Sequence, residues 1–143
     1  AAPHVIIDYA EVAFITAEAI ERGYISGDAE DWYDMGVMAS MEYWGITEGV
    51  EDYLDKNEYD SDNWKMFIGV QKWIAFYMNG PQAWAEWRRL DFPQLEVPAA
   101  AVNSAIPVRL PYPISEDTNN GSSLDAITSD INDLNGRMWW DVN

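Results

Sequence analysis

Cysteine is missing from this 143-residue sequence, and histidine occurs once, as His4. The first absence excludes disulfides, thiolate metal sites and a cysteine nucleophile, and leaves the redox compartment open. The second removes support for a His-assisted nucleophile or a His-rich zinc centre, because the lone imidazole stands in an extended lead-in. Positive charge is also scarce: eight Lys and Arg face 25 Asp and Glu, a formal net charge of −17. Such a field repels phosphate backbones and anionic headgroups, so nucleic acid is not expected as a partner. No apolar run approaches the ~20 residues of a membrane helix, and no basic segment followed by an apolar stretch opens the chain. Ala1-Ala2-Pro3-His4 runs almost directly into a helical pattern. That start is abrupt for a complete secreted protein, and a fragment of a longer chain is the expectation.

What is present is apolar and aromatic. A hydrophobic fraction of 48% with eight Trp and eight Tyr supplies a core for one domain over residues 1–143. From Tyr9 to Arg22, Val12, Ile15 and Ala19 recur at helical spacing, and Gly23 supplies a left-handed stop. Asp28 caps a second helix, with Asp31 as an approximate capping box; its inner face carries Trp32, Met35, Ala39 and Tyr43, and it runs to Gly45. Residues 9–44 therefore form a helical hairpin of tetratricopeptide length, closely packed through Ala13, Ala17, Gly36, Ala39 and Ser40. Residues 45–63 read as an acidic connection with a short helix at 48–55.

A second hairpin is expected over 63–91. Its first helix, about 63–78, carries Trp64, Phe67, Ile68, Val70, Trp73, Ile74, Phe76 and Tyr77 with little polar face, which predicts burial on several sides. Asn79-Gly80-Pro81 stops it and starts the next, striped by Trp84, Trp87 and Leu90. In 92–143, Pro98, Pro107, Pro111 and Pro113 predict irregular chain, and Leu124, Ile127, Ile131 and Leu134 predict one short helix closed by Gly136. The fold class is all-α: antiparallel helical hairpins with a proline-rich irregular C-terminal region.

Four segments in order resemble the SusD/RagB nutrient-binding lipoproteins, most closely the SusD-like branch. They are Tyr9-Ala10-Glu11 with Ala17-Glu18-Ala19; Gln71-Lys72-Trp73-Ile74-Ala75 with Asn79-Gly80, Ala83-Trp84 and Trp87-Arg88-Arg89; Arg109-Leu110-Pro111-Tyr112-Pro113 with Ser115-Glu116 and Asn119; and Arg137 to Asp141. The resemblance implies a tetratricopeptide-like fold and non-catalytic capture of an oligosaccharide at the bacterial outer-membrane surface. It also implies delivery to a TonB-dependent SusC-like channel. It implies a lipid anchor and an N-terminal half that this sequence does not contain, the latter being a further partner. No cofactor and no metal are implied.

Aromatic faces stack on pyranose rings while Asp, Asn and Arg groups bond the hydroxyls. Aromatics in polar, turn-rich surroundings are the site candidates: Trp44, Tyr53, Tyr59 and Trp64. Trp73, Trp84 and Trp87 lie on helical stripes and read as core. Glu11 and Glu18, two turns apart, could pair with Arg88, Arg89 or Arg109 to orient the hairpins, and Glu116 reads as structural beside Pro113. A glycosidase needs two carboxylates set across a bond, and 25 acids mark no pair. Asp55, Asn57, Asp60 and Asp62 carry oxygen ligands but lack the glycine and terminal glutamate of an EF-hand loop. The alternative to glycan binding is a helical scaffold docking the channel, or a peptide-cargo binder.

Overall fold

Helix α1, Tyr9–Glu21, begins where Asp8 in extended conformation accepts a hydrogen bond from the Glu11 amide at 2.7 Å. It ends where Gly23, at φ +72°, turns the chain so that Gly23 N donates to Ile20 O and Tyr24 N to Ala19 O. This is the paired-bond terminus that a left-handed glycine permits. Helix α2, Ala29–Tyr43, repeats the device: Asp28 caps it, Gly45 at φ +74° ends it, and Gly45 N and Ile46 N bond back to Glu42 O and Met41 O. The computed structural model describes residues 5–128 and 130–141; His4 lies outside them. Helices α3 (Val50–Lys56), α4 (Trp64–Ala75), α5 (Gly80–Leu90) and α6 (Ile114–Asp125) follow, with a 3-10 turn at Ser61–Asn63 and no strand among the described residues.

The chain divides into two compact units, one ending at Pro93 and the other beginning at Gln94. In the first, α1 packs along α2, α4 packs on both, and α5 packs on α4. Phe14, Tyr33 and Ile68 are fully buried at the centre, with Ala10, Ala17, Val37, Ala75 and Leu90 around them. The close approach of α1 and α2 rests on Gly36, where a Cβ would lie 2.6 Å from the Phe14 ring. An aromatic cluster then ties the connection to the hairpin: Tyr33 packs against Phe14, Tyr59 and Phe67 at ring centroid distances of 5.0–6.2 Å. The Tyr33 hydroxyl donates to Asn57 O at 3.0 Å.

Two expectations are corrected. Helix α4 is not buried all round: one face carries Ile68, Gly69, Gln71, Lys72 and Ala75 inward, while Trp73 and Ile74 stand 38% and 43% exposed. Its apolar pattern exceeds the neighbours available to cover it in this chain. Trp87, in contrast, is half-buried, and its indole donates to Pro93 O at 3.0 Å.

In the second unit the C-terminal helix lies earlier than the spacing predicts, at Ile114–Asp125. The stretch that follows is held in turns by its own side chains. Asp130 accepts from Asn132 N, and Asp133 accepts from Asn135 N and Gly136 N. Such local bonds compete with helix, and here they outweigh the apolar periodicity of Ile127, Ile131 and Leu134. Val108 N and Tyr112 N bond to Leu134 O and Ile131 O, and Arg109 lies 4.4 Å over the Tyr112 ring. Glu116 accepts from the Asn120 side chain at 3.3 Å.

Candidate functional site

The two helix ends described above create a cleft. At the C-terminus of α2, the turn at Gly45 leaves Trp44 as the residue that caps the helix, outside the core and 44% exposed. At the C-terminus of α4, Phe76 turns inward at 4% exposure, and Met78 at φ +69° carries the chain into Asn79, leaving Tyr77 68% exposed. The approach to α1 closes the third side with Ile6, Ile7 and Asp8. The resulting cleft of about 230 Å³ is lined in part by Trp44, with the Tyr43 and Tyr77 rings set edge-on to the indole at 5.2 and 5.4 Å. Asp8, Glu11 and Asn79 supply the polar groups among its lining.

Glu11 is 9% exposed. Burial pushes its carboxyl up; Lys72 pulls it back, and Asp8 and Glu86 add to the rise, leaving a net upward shift. The cleft thus joins three aromatic faces to two carboxyl groups and an amide, the combination that holds a ring with an apolar face and a polar edge.

The other candidates stand elsewhere. Tyr53 packs against the core from α3, with its hydroxyl accepting from Gln71 Nε2 at 3.0 Å. Tyr59 packs on Tyr33 and donates to Glu21 Oε1 at 2.7 Å; burial, and then Glu21, push its hydroxyl far up. Its edge borders an acidic opening of about 280 Å³ with Glu30, Asp34, Asp55 and Glu58. Burial raises Asp34 there, reinforced by Glu30 and Asp31. Trp64 is half-buried at the start of α4, with the Arg22 guanidinium 5.1 Å and the Lys65 ammonium 5.9 Å from its ring. Of the four, Trp44 lies in the aromatic cleft, and the other three are not brought to it. In the acidic connection, Asp60 accepts from Asp62 N and from Asn63 Nδ2, and Asn57 donates to Tyr53 O.

Sequence reasoning passed over Tyr43, Tyr77, Asp8, Glu11 and Asn79 as ligand groups. The stop signals at Gly45 and at Asn79-Gly80 were legible and mark where helical stripes run out of core. Aromatics beside such stops are the ones left facing solvent.

On the other end of α1 the expected acid–base pairing is present. Glu18 binds the Arg89 guanidinium through both oxygens, the Nη2–Oε2 contact being 2.5 Å, and accepts from Arg22 Nε at 2.8 Å. Arg89 also reaches Glu86 at 2.5 Å, and Glu86 takes the ammonium of Lys72, which is 1% exposed, at 3.0 Å. This network joins α1, α4 and α5. Burial pushes the Glu18 carboxyl up, but the bonds and charges of Arg89 and then Arg22 outweigh it and hold the group below its ordinary 4.5. Burial likewise opposes the charge on Arg89, and its two carboxylates overcome this and raise its pKa.

A family model described as starch-binding and associating with the outer membrane matches residues 1–113. The chain belongs to the SusD-like family. A Bacteroidetes SusD-like protein matches this SusD-like chain with a TM-score of 0.81 and 31% identity, over 94% of the chain and 30% of its own length. A chitin-binding protein matches at 0.78 and 30% identity, over 94% and 33%. A SusD homologue of Bacteroides thetaiotaomicron matches at 0.79 and 27%, over 99% and 39%. No curated protein matches the chain. The SusD-like chain therefore spans about a third of the length of these solved relatives. Its helical hairpins are the tetratricopeptide-like arrangement that the family shares.

Proposed function

We propose that this SusD-like chain carries part of a non-catalytic glycan-binding surface of an outer-membrane lipoprotein, and that the longer protein passes its oligosaccharide to a TonB-dependent SusC-like channel. The observation that carries the reading is the cleft at Trp44, where exposed aromatic faces adjoin buried and half-buried polar groups. The family description as starch-binding and a similar protein named as chitin-binding support it. Trp44 and Tyr77 stack on pyranose faces, and Asp8, Glu11 and Asn79 take the hydroxyl edge. Tyr53, Tyr59 and Trp64 belong to this proposal as the support of the helices that present the cleft.

Titration of tryptophan fluorescence with soluble oligosaccharides tests the proposal. Trp44→Ala is expected to weaken binding about tenfold, the loss of about 1.4 kcal/mol of aromatic contact, with no change in the melting temperature. Unaltered affinity in that variant places the site elsewhere.

A second observation supports a different reading. Trp73, Ile74, Tyr77 and Met78 are exposed together along a groove of about 430 Å³ between the ends of α4 and α5. Monomeric surfaces seldom leave so many large apolar side chains contiguous. In this reading the segment serves chiefly as a helical docking surface for the channel. Capture of purified channel by a chain with no affinity for any oligosaccharide would favour it over glycan binding.

A further inference from the structure

Glu11 is the one buried acid on α1 for which the fold supplies no hydrogen-bond donor among the described residues. Its backbone amide is held by Asp8, but its carboxylate accepts no bond, while Glu18 on the same helix accepts from two guanidinium groups. No fully buried polar side-chain atom lacks a partner among the described residues. The Glu11 oxygens therefore reach solvent, and Glu11 is one of the residues that line the cleft. A residue that is 9% exposed, lines an aromatic cleft and carries an acceptor that no described donor meets is suited to receive a donor from outside.

The charges around it restrict what that donor can be. The cation acting on Glu11 is Lys72, which is itself 1% exposed and committed to Glu86 at 3.0 Å. Among the described residues the cleft lining contains Asp8 and Glu11 and neither Lys nor Arg. The N-termini of α1 and α5 open toward it and favour an anion weakly, but Asp8 already occupies the first of them. The chain as a whole carries −17. An acidic sugar would bring a third carboxylate into this space and meet no counter-ion among the described lining residues.

We infer that Glu11 is the specificity-determining group of the cleft: its carboxylate accepts the hydroxyl or amino protons of a pyranose stacked on Trp44, so the cleft takes uncharged and amino sugars and rejects uronates. The inference rests on the reading of this cleft as a glycan site.

The test is a binding comparison on the full chain with maltohexaose, chitohexaose, the chitosan hexamer and hexagalacturonate, at low and high salt. Neutral hexamers are expected to bind with little salt dependence, the chitosan hexamer more tightly at low salt, and the uronate not at all at low salt. Glu11→Gln is expected to weaken the neutral hexamers about tenfold, the effect of removing a charged acceptor, and to narrow the gap to the uronate. Asp8→Asn keeps the helix cap, since Asn caps as well as Asp. It is expected to reduce the preference for chitosan; an unchanged preference would mark that preference as general attraction to an acidic protein. The wild-type salt series needs no variant to fold. Uronate binding as tight as that of the neutral hexamers overturns the inference and leaves the glycan reading standing. Failure of all four to bind overturns both.

Discussion

Two glutamates lie two turns apart on the same face of α1, both buried, and their carboxyl groups are shifted in opposite directions. Glu18 meets two guanidinium groups and is held down; Glu11 meets a lysine already paired elsewhere and is pushed up. Burial acts the same way on both, so the partner decides the sign. The difference divides the first unit by task. At the Glu18 end, charge is consumed in fixing α1 against α4 and α5. At the Glu11 end, polar capacity is left over beside three aromatic rings.

Breaking the paired end should have the largest effect. Glu18→Gln leaves Arg89 and Arg22 without their common acceptor. Losing one partner of a buried pair costs about 3–5 kcal/mol; both arginines are 34% exposed, so solvent screening lowers the expected loss to about 2 kcal/mol. A fall of about 6 °C in melting temperature would register it.

The pH dependence sharpens the contrast. Glu18 has a folded pKa below its ordinary 4.5, so its stabilisation is present above that value and is lost as pH falls through the folded one. Glu11 has a folded pKa above 4.5, so the folded state takes its proton first, and this group adds stability as pH falls through that raised value. Urea unfolding midpoints followed from neutral to acid pH should show Glu18→Gln flattening the acid loss and Glu11→Gln removing the small gain that precedes it. If both variants move the curve in the same direction, the contrast is wrong.

The smallest effect belongs to Tyr59→Phe, which removes the bond to Glu21 while keeping the ring against Tyr33. It should cost about 1 kcal/mol in chemical unfolding and leave oligosaccharide affinity as it was. A loss of affinity there would return the ligand to the acidic opening beside Tyr59.

Much of this was legible in the sequence, for identifiable reasons. Glycines at 23 and 45 after apolar periodic runs announced the helix ends, because few other residues accept the left-handed conformation found at both. The pairing of Glu18 with an arginine of the second hairpin was legible because a buried carboxylate on a helix needs a cation. Three of the network residues, Glu18, Lys72 and Arg89, also fall inside the segments that carried the family resemblance. The exposed face of α4 was not legible, since periodicity reports what a helix could bury and not which neighbours are present. Tyr53 and Tyr59 looked like surface aromatics because their surroundings in sequence are polar. Their hydroxyl partners, Gln71 and Glu21, come from distant helices. Helix α6 was misplaced because the carboxylates of Asp130 and Asp133 hold turns that a hydrophobic count does not weigh.

Trp44 is presented by a backbone turn rather than by packing. Gly45 carries the turn at φ +74°, and nothing lies within 4 Å of where its Cβ would be, so the requirement there is torsional. The indole itself is absent from the core around Phe14 and Ile68. In evolutionary terms the scaffold and the rim of the cleft are separable. If the cleft is the proposed glycan site, a lineage can exchange the residue at position 44, and with it the strength of stacking, while the glycine keeps the turn and the helix pair beneath is unchanged.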